Sequence, residues 1–245
     1  SKKDADRRAF TLIEMLVVIA IIVLLASILV PAVSSALGRA KRMKCAARQR
    51  SLHSMLTTYL MEHKQHIHLY SAFEENESWG RELFVKGYTN ENREVLVCPT
   101  VAPYRYDPDD PDVVPNDPDA FQFHSYGMCF PGFGNWIQSD RSPEYIIYPM
   151  ESESPSRQIL LGDSTYINLP GNEPVDLYVF YNGEGCLHLR HAGKANVTYV
   201  DGHVEALGQK GVRRFAEEIR DAPEASAQNF DPKVRTEDGE VISVL

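Results

Sequence analysis

Three histidines and an aspartate near the carboxyl end are the residues whose types are best suited to binding a metal ion. His188, His191, Asp201 and His203 lie within one short segment. Imidazole and carboxylate groups are ligands of zinc and other transition ions, so the segment offers a metal site built from His191, Asp201 and His203. The alternative is structural, because an Asp-Gly pair is common in turns. His191 would then hydrogen-bond the turn and His203 would lie on a strand face. We favour this structural interpretation over metal binding, and metal binding over catalysis.

The four cysteines are well separated along the chain. No Cys-x-x-Cys pair is present, which argues against a zinc knuckle or ribbon. In an oxidising compartment the four would allow two disulfides, with three possible connectivities. We expect Cys45 to pair with Cys98, which would join a helix to the region that follows it, and we treat Cys129 and Cys186 as further disulfide candidates.

Other groups of reactive residues have plain structural interpretations. Six aspartates between residues 107 and 119 offer the carboxylate oxygens that calcium prefers. The prolines among them break EF-hand spacing, so we interpret residues 103–120 as a solvated acidic loop. No Gly-x-Ser-x-Gly sequence is present to indicate a nucleophilic serine. His63, His66 and His68 are interpreted as the polar end of a helix.

An apolar run of 21 residues, 10–30, contains one acid, Glu14, and is followed by Pro31. As a helix it would be about 32 Å long, close to the roughly 30 Å of a bilayer core. The run therefore predicts a membrane segment. An ionisable group at the centre of such a segment costs about 2.5–3.5 kcal/mol on insertion scales. Glu14 lies near one end and costs less, but it still requires a partner.

The sequence RAFTLIEMLVVIAII, with the later proline, resembles the signal of type IV prepilins and type II secretion pseudopilins. In that family a prepilin peptidase removes a short basic leader, and the new amino terminus is N-methylated. The resemblance implies cleavage between Ala9 and Phe10 and a helix bend at Pro31. It also implies that Glu14 pairs with the terminal amine of a neighbouring subunit during assembly. Ala9 stands where the family usually has Gly, and Val23 where a helix Gly is common.

The apolar run is also compatible with two simpler kinds of segment. A secretory signal peptide has a shorter apolar core and a small-x-small cleavage site, whereas this run is long and contains an acid. An unprocessed signal anchor is the second alternative. Six basic residues at 39–50 follow the run, and the positive-inside rule would place them in the cytoplasm. We give the leader resemblance more weight and expect a cytoplasmic amino terminus.

A second resemblance lies in LRHAGKANVTYVDGHV, residues 189–204. The spacing of His191, nine residues and then Asp201 and Gly202 is similar to the H-X9-DG element of many prepilin-like proteins from planctomycete-type bacteria. CPT at 98–100, SYGM at 125–128 and ILLGDS at 159–164 are similar to further fragments of those proteins. The element has no assigned chemistry that the resemblance could transfer.

Periodicity predicts the remaining elements. The helix should continue past Pro31 to about His63 as an amphipathic stem, with an apolar stripe at Val33, Leu37, Ala40, Met43 or Ala47, Leu52, Leu56, Tyr59 and Leu60. Strands are predicted at 94–98, 121–128, 146–148, 157–162 and 177–181, with short helices after Trp79 and at 212–220. Runs on both sides of the Asp-Gly pair predict a tight hairpin, and the tail from Lys233 predicts another.

Together these patterns predict an α+β fold, in which a long amino-terminal helix packs on an antiparallel sheet as in pilins. We expect a leader at 1–9, a transmembrane helix at 10–30, a stem at 31–65 and a head at 66–245 with the hairpin at 191–207.

The function expected is a filament subunit, held first in the inner membrane and then in a periplasmic or extracellular filament. Its partners would be copies of itself, other pilin-like subunits, prepilin peptidase, an inner-membrane assembly platform and lipid. The net charge of −9 argues against nucleic acid. The rival hypothesis is a membrane-anchored envelope metal-binding protein or enzyme that uses the His191, Asp201 and His203 group.

Overall fold

The structure is a computed structural model that describes residues 12–63, 66–71, 77–100, 126–129, 137–141, 144–152, 154–166, 179–180, 185–220, 233–238 and 240–244. The chain divides into two compact units, residues 1–40 and residues 41–245. The predicted cleavage site at Ala9 and Phe10 and the acid-rich segment 103–120 lie outside the described residues.

A single long helix, α1, runs from Leu12 to Glu62 and confirms the predicted stem. Pro31 lies inside the helix and does not end it, although its missing N–H removes one backbone hydrogen bond. In the first unit every described residue, 12–40, is exposed. Of the described helices, α1 is the one long and apolar enough to cross a membrane, judged by length and composition. The first unit therefore presents apolar side chains on all sides of the helix.

In the second unit one face of α1 is buried. The buried positions recur every three or four residues, the spacing that places side chains on one side of a helix; they are Cys45, Gln49, Leu52, Leu56, Tyr59 and Leu60. The predicted stripe is confirmed from Leu52 onward. Its earlier positions are exposed, namely Val33, Leu37, Ala40, Met43 and Ala47. The prediction also missed Cys45 and Gln49, because neither was counted as apolar.

Short strands and helices make up the rest of the second unit. The strands are β1 (Ile67–Ser71), β2 (Glu77–Ser78), β3 (Gly127–Cys129), β4 (Ile137–Arg141), β5 (Glu144–Ile147), β6 (Ile159–Gly162), β7 (Ser164–Tyr166), β8 (Val179–Phe180), β9 (Gly185–His188), β10 (Lys194–Tyr199), β11 (Val204–Gly208), β12 (Lys233–Arg235) and β13 (Val241–Ser243). The helices are α2 (Trp79–Val85) and α3 (Gln209–Arg220), with 3₁₀ helices at Arg93–Leu96 and Pro149–Glu151.

The strands form three sheets, with the orders β2-β1-β5-β4, β11-β10-β6-β3-β8 and β13-β12-β9-β7. Most pairings are antiparallel, while β3 with β8 and β9 with β12 are parallel. The predicted α+β layout of a long helix with antiparallel sheets is confirmed. The strands are divided among three sheets, and each parallel pair joins strands that are distant in sequence, which period-two patterns do not reveal.

Both predicted hairpins are confirmed. Strands β10 and β11 pair antiparallel from Lys194 opposite Gly208 to Thr198 opposite Val204. Gly202 in the connecting turn has a φ of +89°, a left-handed conformation that glycine adopts at little cost. In the tail, β12 and β13 pair antiparallel with Val234 opposite Ile242.

The predicted strand at 94–98 is wrong, because the first part of this segment forms the 3₁₀ helix Arg93–Leu96. The Asn92 side chain accepts a hydrogen bond from the Glu94 N–H at 3.0 Å and caps that helix. Val95, Leu96 and Val97 are buried, so the run is apolar because it packs in the core. A short apolar run does not by itself distinguish a strand from a helical turn.

The second unit contains two clusters of buried apolar residues. In the first, the buried face of α1 packs with residues of α2, β1, β3 and β6, among them Trp79, Leu83, Ile67, Met128 and Leu161. In the second, β9 and β10 pack with α3 and the tail hairpin through Leu187, Val197, Val212, Phe215 and Val234. The predicted packing of the stem on a sheet is confirmed for residues 45–60 of α1.

A buried carboxylate, Glu82, joins the end of α1 to α2. Its oxygens accept hydrogen bonds from the Tyr59 hydroxyl and from Lys86 Nζ at 2.9 Å, and His68 Nδ1 lies 3.5 Å away. Burial would raise the pKa of Glu82, but the hydrogen bonds with His68, Tyr59 and Lys86 outweigh it and lower the pKa to about 2. Glu82 is therefore ionised at neutral pH and fixes this contact.

Candidate metal centre

Four side chains that can bind a metal ion meet in the interior of the second unit: Cys45, Cys98, Asp163 and His191. Each offers one ligand atom, and all four atoms lie within 4.8 Å of one another. Both cysteines are 0% exposed, and the side chains of Asp163 and His191 are 0% and 1% exposed. Among the described residues this is the one group of histidine, cysteine and acidic side chains arranged in this way.

The four residues come from four separate parts of the fold. Cys45 lies on the buried face of α1, and Cys98 follows the 3₁₀ helix Arg93–Leu96. Asp163 stands between β6 and β7, where its backbone N–H donates to the Asn196 carbonyl at 3.0 Å. His191 precedes β10, and its N–H donates to the Lys194 carbonyl at 2.9 Å. The cluster therefore joins the stem helix to three loops of the head.

A tight turn aims His191 into the interior. Ala192 and Gly193 both have left-handed backbones, with φ of +53° and +74°. These two residues return the chain from His191 to Lys194, where β10 starts. The carbonyl of Asp163 accepts a hydrogen bond from the His188 N–H at 2.8 Å, which holds the β6–β7 connection beside the segment that leads to His191.

Direct contacts connect the four side chains. Cys45 Sγ donates to Asp163 Oδ1 at 3.2 Å. His191 Nε2 lies 3.2 Å from Asp163 Oδ2 and 3.5 Å from Cys98 Sγ. The imidazole nitrogen thus faces a carboxylate and a sulfur at once, and the carboxylate bridges the imidazole and the second sulfur.

Neighbouring polar groups hold these donors in place. Gln49 Nε2 donates to the Asn196 carbonyl at 3.1 Å and lies 3.5 Å from Asp163 Oδ1, while its Oε1 accepts from the Thr198 hydroxyl at 2.9 Å. The Asn196 N–H donates to Asp163 Oδ2 at 2.7 Å. The Tyr126 hydroxyl donates to Cys45 Sγ at 3.3 Å. A buried glutamine one turn after Cys45 is thus part of the same network.

The charges in the cluster support one another. Burial lowers the pKa of His191, but the hydrogen bonds with Asp163 and Cys98 and the charges of both outweigh it and raise the pKa to about 9. Burial raises the pKa of Asp163, yet the His191 hydrogen bond and the positive charges of Arg190 and His191 hold it below its usual range. Without a bound ion, the cluster therefore pairs an imidazolium with a carboxylate.

The two thiols differ from each other. Burial raises the pKa of Cys98, but hydrogen bonds with Cys45 and His191 and the charge of Arg190 bring it well below its ordinary value. Burial, the hydrogen bond with Cys98 and the negative charge of Asp163 hold the pKa of Cys45 well above it. Cys98 is thus the more readily ionised sulfur, and a thiolate is the form of cysteine that binds metals.

The predicted metal group of His191, Asp201 and His203 is not brought together in the structure. Asp201 Oδ1 accepts hydrogen bonds from the His203 N–H at 3.1 Å and from the His203 ring Nδ1 at 2.6 Å, and both residues are exposed. His191 points instead to Asp163 and Cys98. The reason is that the whole of β10 lies between His191 and the turn, and a strand of that length spans roughly 20 Å. The two ends of the H-X9-DG element therefore have different surroundings.

The Asp-Gly turn rests on the stem helix. His53 Nε2 lies 2.9 Å from the Val200 carbonyl oxygen, and a Cβ at Gly202 would lie 2.8 Å from the His53 ring. The Asp201 N–H donates to the Pro155 carbonyl at 3.2 Å. The turn therefore has a packing role against α1 and the β5–β6 connection.

The predicted disulfides are not formed: Cys45, Cys98, Cys129 and Cys186 are buried cysteines without a disulfide bond. The prediction that Cys45 meets Cys98 was close, since their sulfurs lie within the 4.8 Å cluster. Burial raises the pKa of Cys129, and burial raises that of Cys186 to about 12. These two lie outside the cluster and behave as inert core residues.

Sequence reasoning missed Asp163 as a partner of His191, although two signals marked the cluster. Cys98 lies in the CPT fragment and Asp163 in ILLGDS, both of which resemble fragments of prepilin-like proteins. Nothing in their spacing showed that the fragments meet, because they come from loops more than sixty residues apart in the sequence. Of the predicted assembly residues, Glu14 and Pro31 lie in the first unit on α1.

Comparison with known proteins identifies the amino-terminal segment. Residues 4–30 match the family model for the prokaryotic N-terminal methylation motif. The match includes residues 4–9 of the predicted leader, the predicted cleavage site and the apolar run, and it confirms the resemblance to type IV prepilins and pseudopilins. A search of curated proteins and a search of solved structures each found no match.

Proposed function

We propose that the chain is the structural subunit of a filament, either a type IV pilus-like fibre or a type II secretion pseudopilus. In this proposal prepilin peptidase cleaves between Ala9 and Phe10, and the subunit assembles through α1. The observation that carries the proposal is the methylation motif at residues 4–30, whose residues from Leu12 onward form the first part of a 51-residue helix. The methylation motif supports a pilin or pseudopilin subunit.

The exposed apolar surface of the first unit explains why such a subunit would assemble. Many large side chains of α1 are more than half exposed, including Leu12, Ile13, Val23, Ile28 and Val30. A continuous apolar surface of this kind requires a nonaqueous neighbour. Lipid would cover it while the subunit is held in the inner membrane, and the helices of neighbouring copies would cover it in the filament. Transfer between the two exchanges one apolar environment for another, so the helix need not enter water.

Glu14 would provide register in that assembly. It is the one acid in the run 10–30, and after cleavage at Phe10 the new amine of a neighbouring subunit would be its partner. An ion pair between them would be formed in a low-dielectric environment, where either charge alone is costly. Apolar packing would then supply most of the association energy, and the pair would select one axial stagger of the subunits.

The proposed location is the inner membrane, with a single span, a cytoplasmic amino terminus and a head on the opposite side. The basic residues at 39–50 then adjoin the outer surface of the bilayer. Arg48 among them contacts the head, donating to the Val97 carbonyl at 3.0 Å and to Glu94 Oε2 at 2.6 Å. Others remain available for anionic lipid or an assembly platform. The proposed partners are copies of the chain, other pilin-like subunits and prepilin peptidase.

The first experiment is mass spectrometry of the amino terminus of protein isolated from native membranes, with and without the prepilin peptidase. We expect N-methyl-Phe10 when the peptidase is present and an intact leader when it is absent. An intact leader in both samples would reject processing and would leave an ordinary anchored protein.

A second experiment separates assembly from processing. Glu14→Ala should leave membrane insertion and cleavage intact but abolish filaments, because the terminal amine would lose its partner. Ser27→Ala is the matched control on the same helix; its hydroxyl bonds within the helix, to the Leu24 carbonyl at 2.7 Å. Filament yield of Glu14→Ala at the level of this control, measured by shearing and electron microscopy, would refute the role of Glu14.

A further inference from the structure

The distances in the buried cluster agree with those between the ligands of one zinc ion. Zinc binds sulfur at about 2.3 Å and nitrogen or oxygen at about 2.0–2.2 Å, so the ligand atoms of a tetrahedral site lie roughly 3.3–3.8 Å apart. Three contacts in the cluster are close to this range: 3.2 Å from Cys45 Sγ to Asp163 Oδ1, 3.2 Å from His191 Nε2 to Asp163 Oδ2 and 3.5 Å from His191 Nε2 to Cys98 Sγ. The remaining pairs of ligand atoms lie within 4.8 Å of one another, so shifts of about an ångström or less would bring all four to zinc-binding distances.

The donor set selects the class of metal. Two sulfurs and one imidazole favour zinc and other borderline or soft transition ions, whereas magnesium and calcium prefer oxygen ligands only. The cluster supplies four protein ligands and is buried on all sides. Four protein ligands in a closed site are typical of structural zinc, because catalytic zinc keeps one position open for water or substrate.

The surroundings of the cluster match those of a metal site. In metal sites, hydrogen bonds from neighbouring residues usually orient the ligands and are nearly as important as the ligands themselves. Here Asn196 and Gln49 contact the Asp163 carboxylate, Tyr126 contacts Cys45, and the Thr100 hydroxyl lies 2.9 Å from Cys98 Sγ.

We propose that Cys45, Cys98, Asp163 and His191 bind one zinc ion, which fastens the stem helix to the head. Cys45 is the ligand from α1, and the other three come from loops of the head. A disulfide between Cys45 and Cys98 would use the same two sulfurs, but the Asp163 carboxylate and the His191 imidazole would then have no role in the link. The zinc site employs all four groups. It is independent of the filament function, since a processed or an unprocessed subunit would contain it.

Metal analysis of the full-length chain in detergent, purified under reducing conditions, tests the proposal. After incubation with zinc chloride and removal of free metal, we expect about one zinc per chain. Cys98→Ser and His191→Ala should lose it. Cys129→Ser is the matched control, a buried cysteine outside the cluster, and His203→Ala is the control for a histidine of the same hairpin; both should retain zinc.

A measurement on the unmodified chain protects the test against variants that fail to fold. Cobalt(II) replaces zinc and produces absorption bands characteristic of tetrahedral thiolate coordination, which we expect at one equivalent. Gln49→Ala should weaken zinc binding about 10- to 100-fold, because Gln49 contacts the Asp163 carboxylate and helps to orient it. The proposal is overturned if the reduced wild-type chain binds neither ion, or if His203→Ala loses zinc while His191→Ala retains it. A Cys45–Cys98 disulfide in native protein that takes up no zinc after reduction would overturn it as well.

Discussion

Replacing Gly202 with alanine measures how closely the Asp-Gly turn is fitted to the stem helix. Gly202 has a φ of +89°, and a Cβ there would lie 2.8 Å from both Cε1 and Nδ1 of the His53 ring. The ring is held in position by its 2.9 Å contact with the Val200 carbonyl. The substitution therefore has two separate costs, one from the backbone and one from the overlap.

The two costs can be estimated from the structure. A left-handed backbone costs a residue with a Cβ roughly 1–2 kcal/mol. Overlap in a packed site costs typically about 1–3 kcal/mol more, so Gly202→Ala should destabilise the second unit by about 2–5 kcal/mol. Gly193→Ala is the matched control in the same hairpin. Its φ is +74° and nothing lies within 4 Å of an added Cβ, so it should lose only the backbone part.

A double-mutant cycle with His53 isolates the contact. His53→Ala alone should cost about 1 kcal/mol through the lost hydrogen bond. In the His53→Ala background the added methyl has space, so the cost of Gly202→Ala should fall to that of Gly193→Ala. Neighbouring residues in contact commonly show non-additivity of about 0.5–3 kcal/mol, and the sign expected here is less than additive.

The assay is urea unfolding of the full-length chain in a mild detergent. Tryptophan fluorescence is a suitable signal, because Trp79 is fully buried in the second unit, and the free energies follow by linear extrapolation. Equal losses for Gly202→Ala and Gly193→Ala would refute the fit against His53. An unchanged cost of Gly202→Ala in the His53→Ala background would refute it as well.

Three further predictions concern the second unit. Because the pKa of Glu82 is lowered from 4.5 to about 2, its charge should contribute up to about 3 kcal/mol of stability above pH 5, lost as the pH falls towards 2. The difference in stability between wild type and Glu82→Gln should therefore close over that range in acid titrations. Glu94→Gln is the control, because its side chain is 69% exposed and an exposed ion pair contributes only about 0–1 kcal/mol. Leu56→Ala should lower the free energy of unfolding in urea by about 2–5 kcal/mol. The control Met61→Ala, at a side chain that is 71% exposed, should lower it by less than about 0.5 kcal/mol. Similar losses for the two variants would contradict the buried face of α1. Zinc at a hundred times its dissociation constant should stabilise the chain by about 2.7 kcal/mol. A chelator or Cys98→Ser should remove this gain in stability. Stabilisation by zinc that persists in Cys98→Ser would contradict the site.

Local patterns in the sequence were sufficient for much of the fold. The apolar run and the stripe from Leu52 predicted α1, and the Asp-Gly pair predicted the hairpin of β10 and β11, because both features depend on neighbours in sequence. Pairings such as β9 with β12 could not be predicted in this way. Each such pairing joins residues that are far apart in the sequence, and the periodicity of a strand does not indicate which other strand it pairs with.

The cluster shows the same limit at the level of single residues. His191 was identified as a metal candidate from its type, but it was grouped with Asp201 and His203 because they are close in sequence. Its actual partners, Asp163 and Cys98, are remote in sequence and adjacent in space. Cys45 was predicted to meet Cys98 because a link between helix and head was expected from the fold. Their sulfurs do lie within 4.8 Å of each other.

The spacing of the H-X9-DG element follows from these contacts. His191 precedes β10 and meets Cys45 of α1 in the cluster, while Gly202 follows β10 and packs on His53 of the same helix. Cys45 and His53 are eight residues apart, about 12 Å along the helix axis. One strand with its two turns therefore fastens the head to α1 at two points. Adding or removing one residue in β10 would exchange its two buried faces, which would remove Ala195 and Val197 from the core and detach one end from the helix. The nine-residue interval is thus a length constraint, fixed by two contacts on one helix.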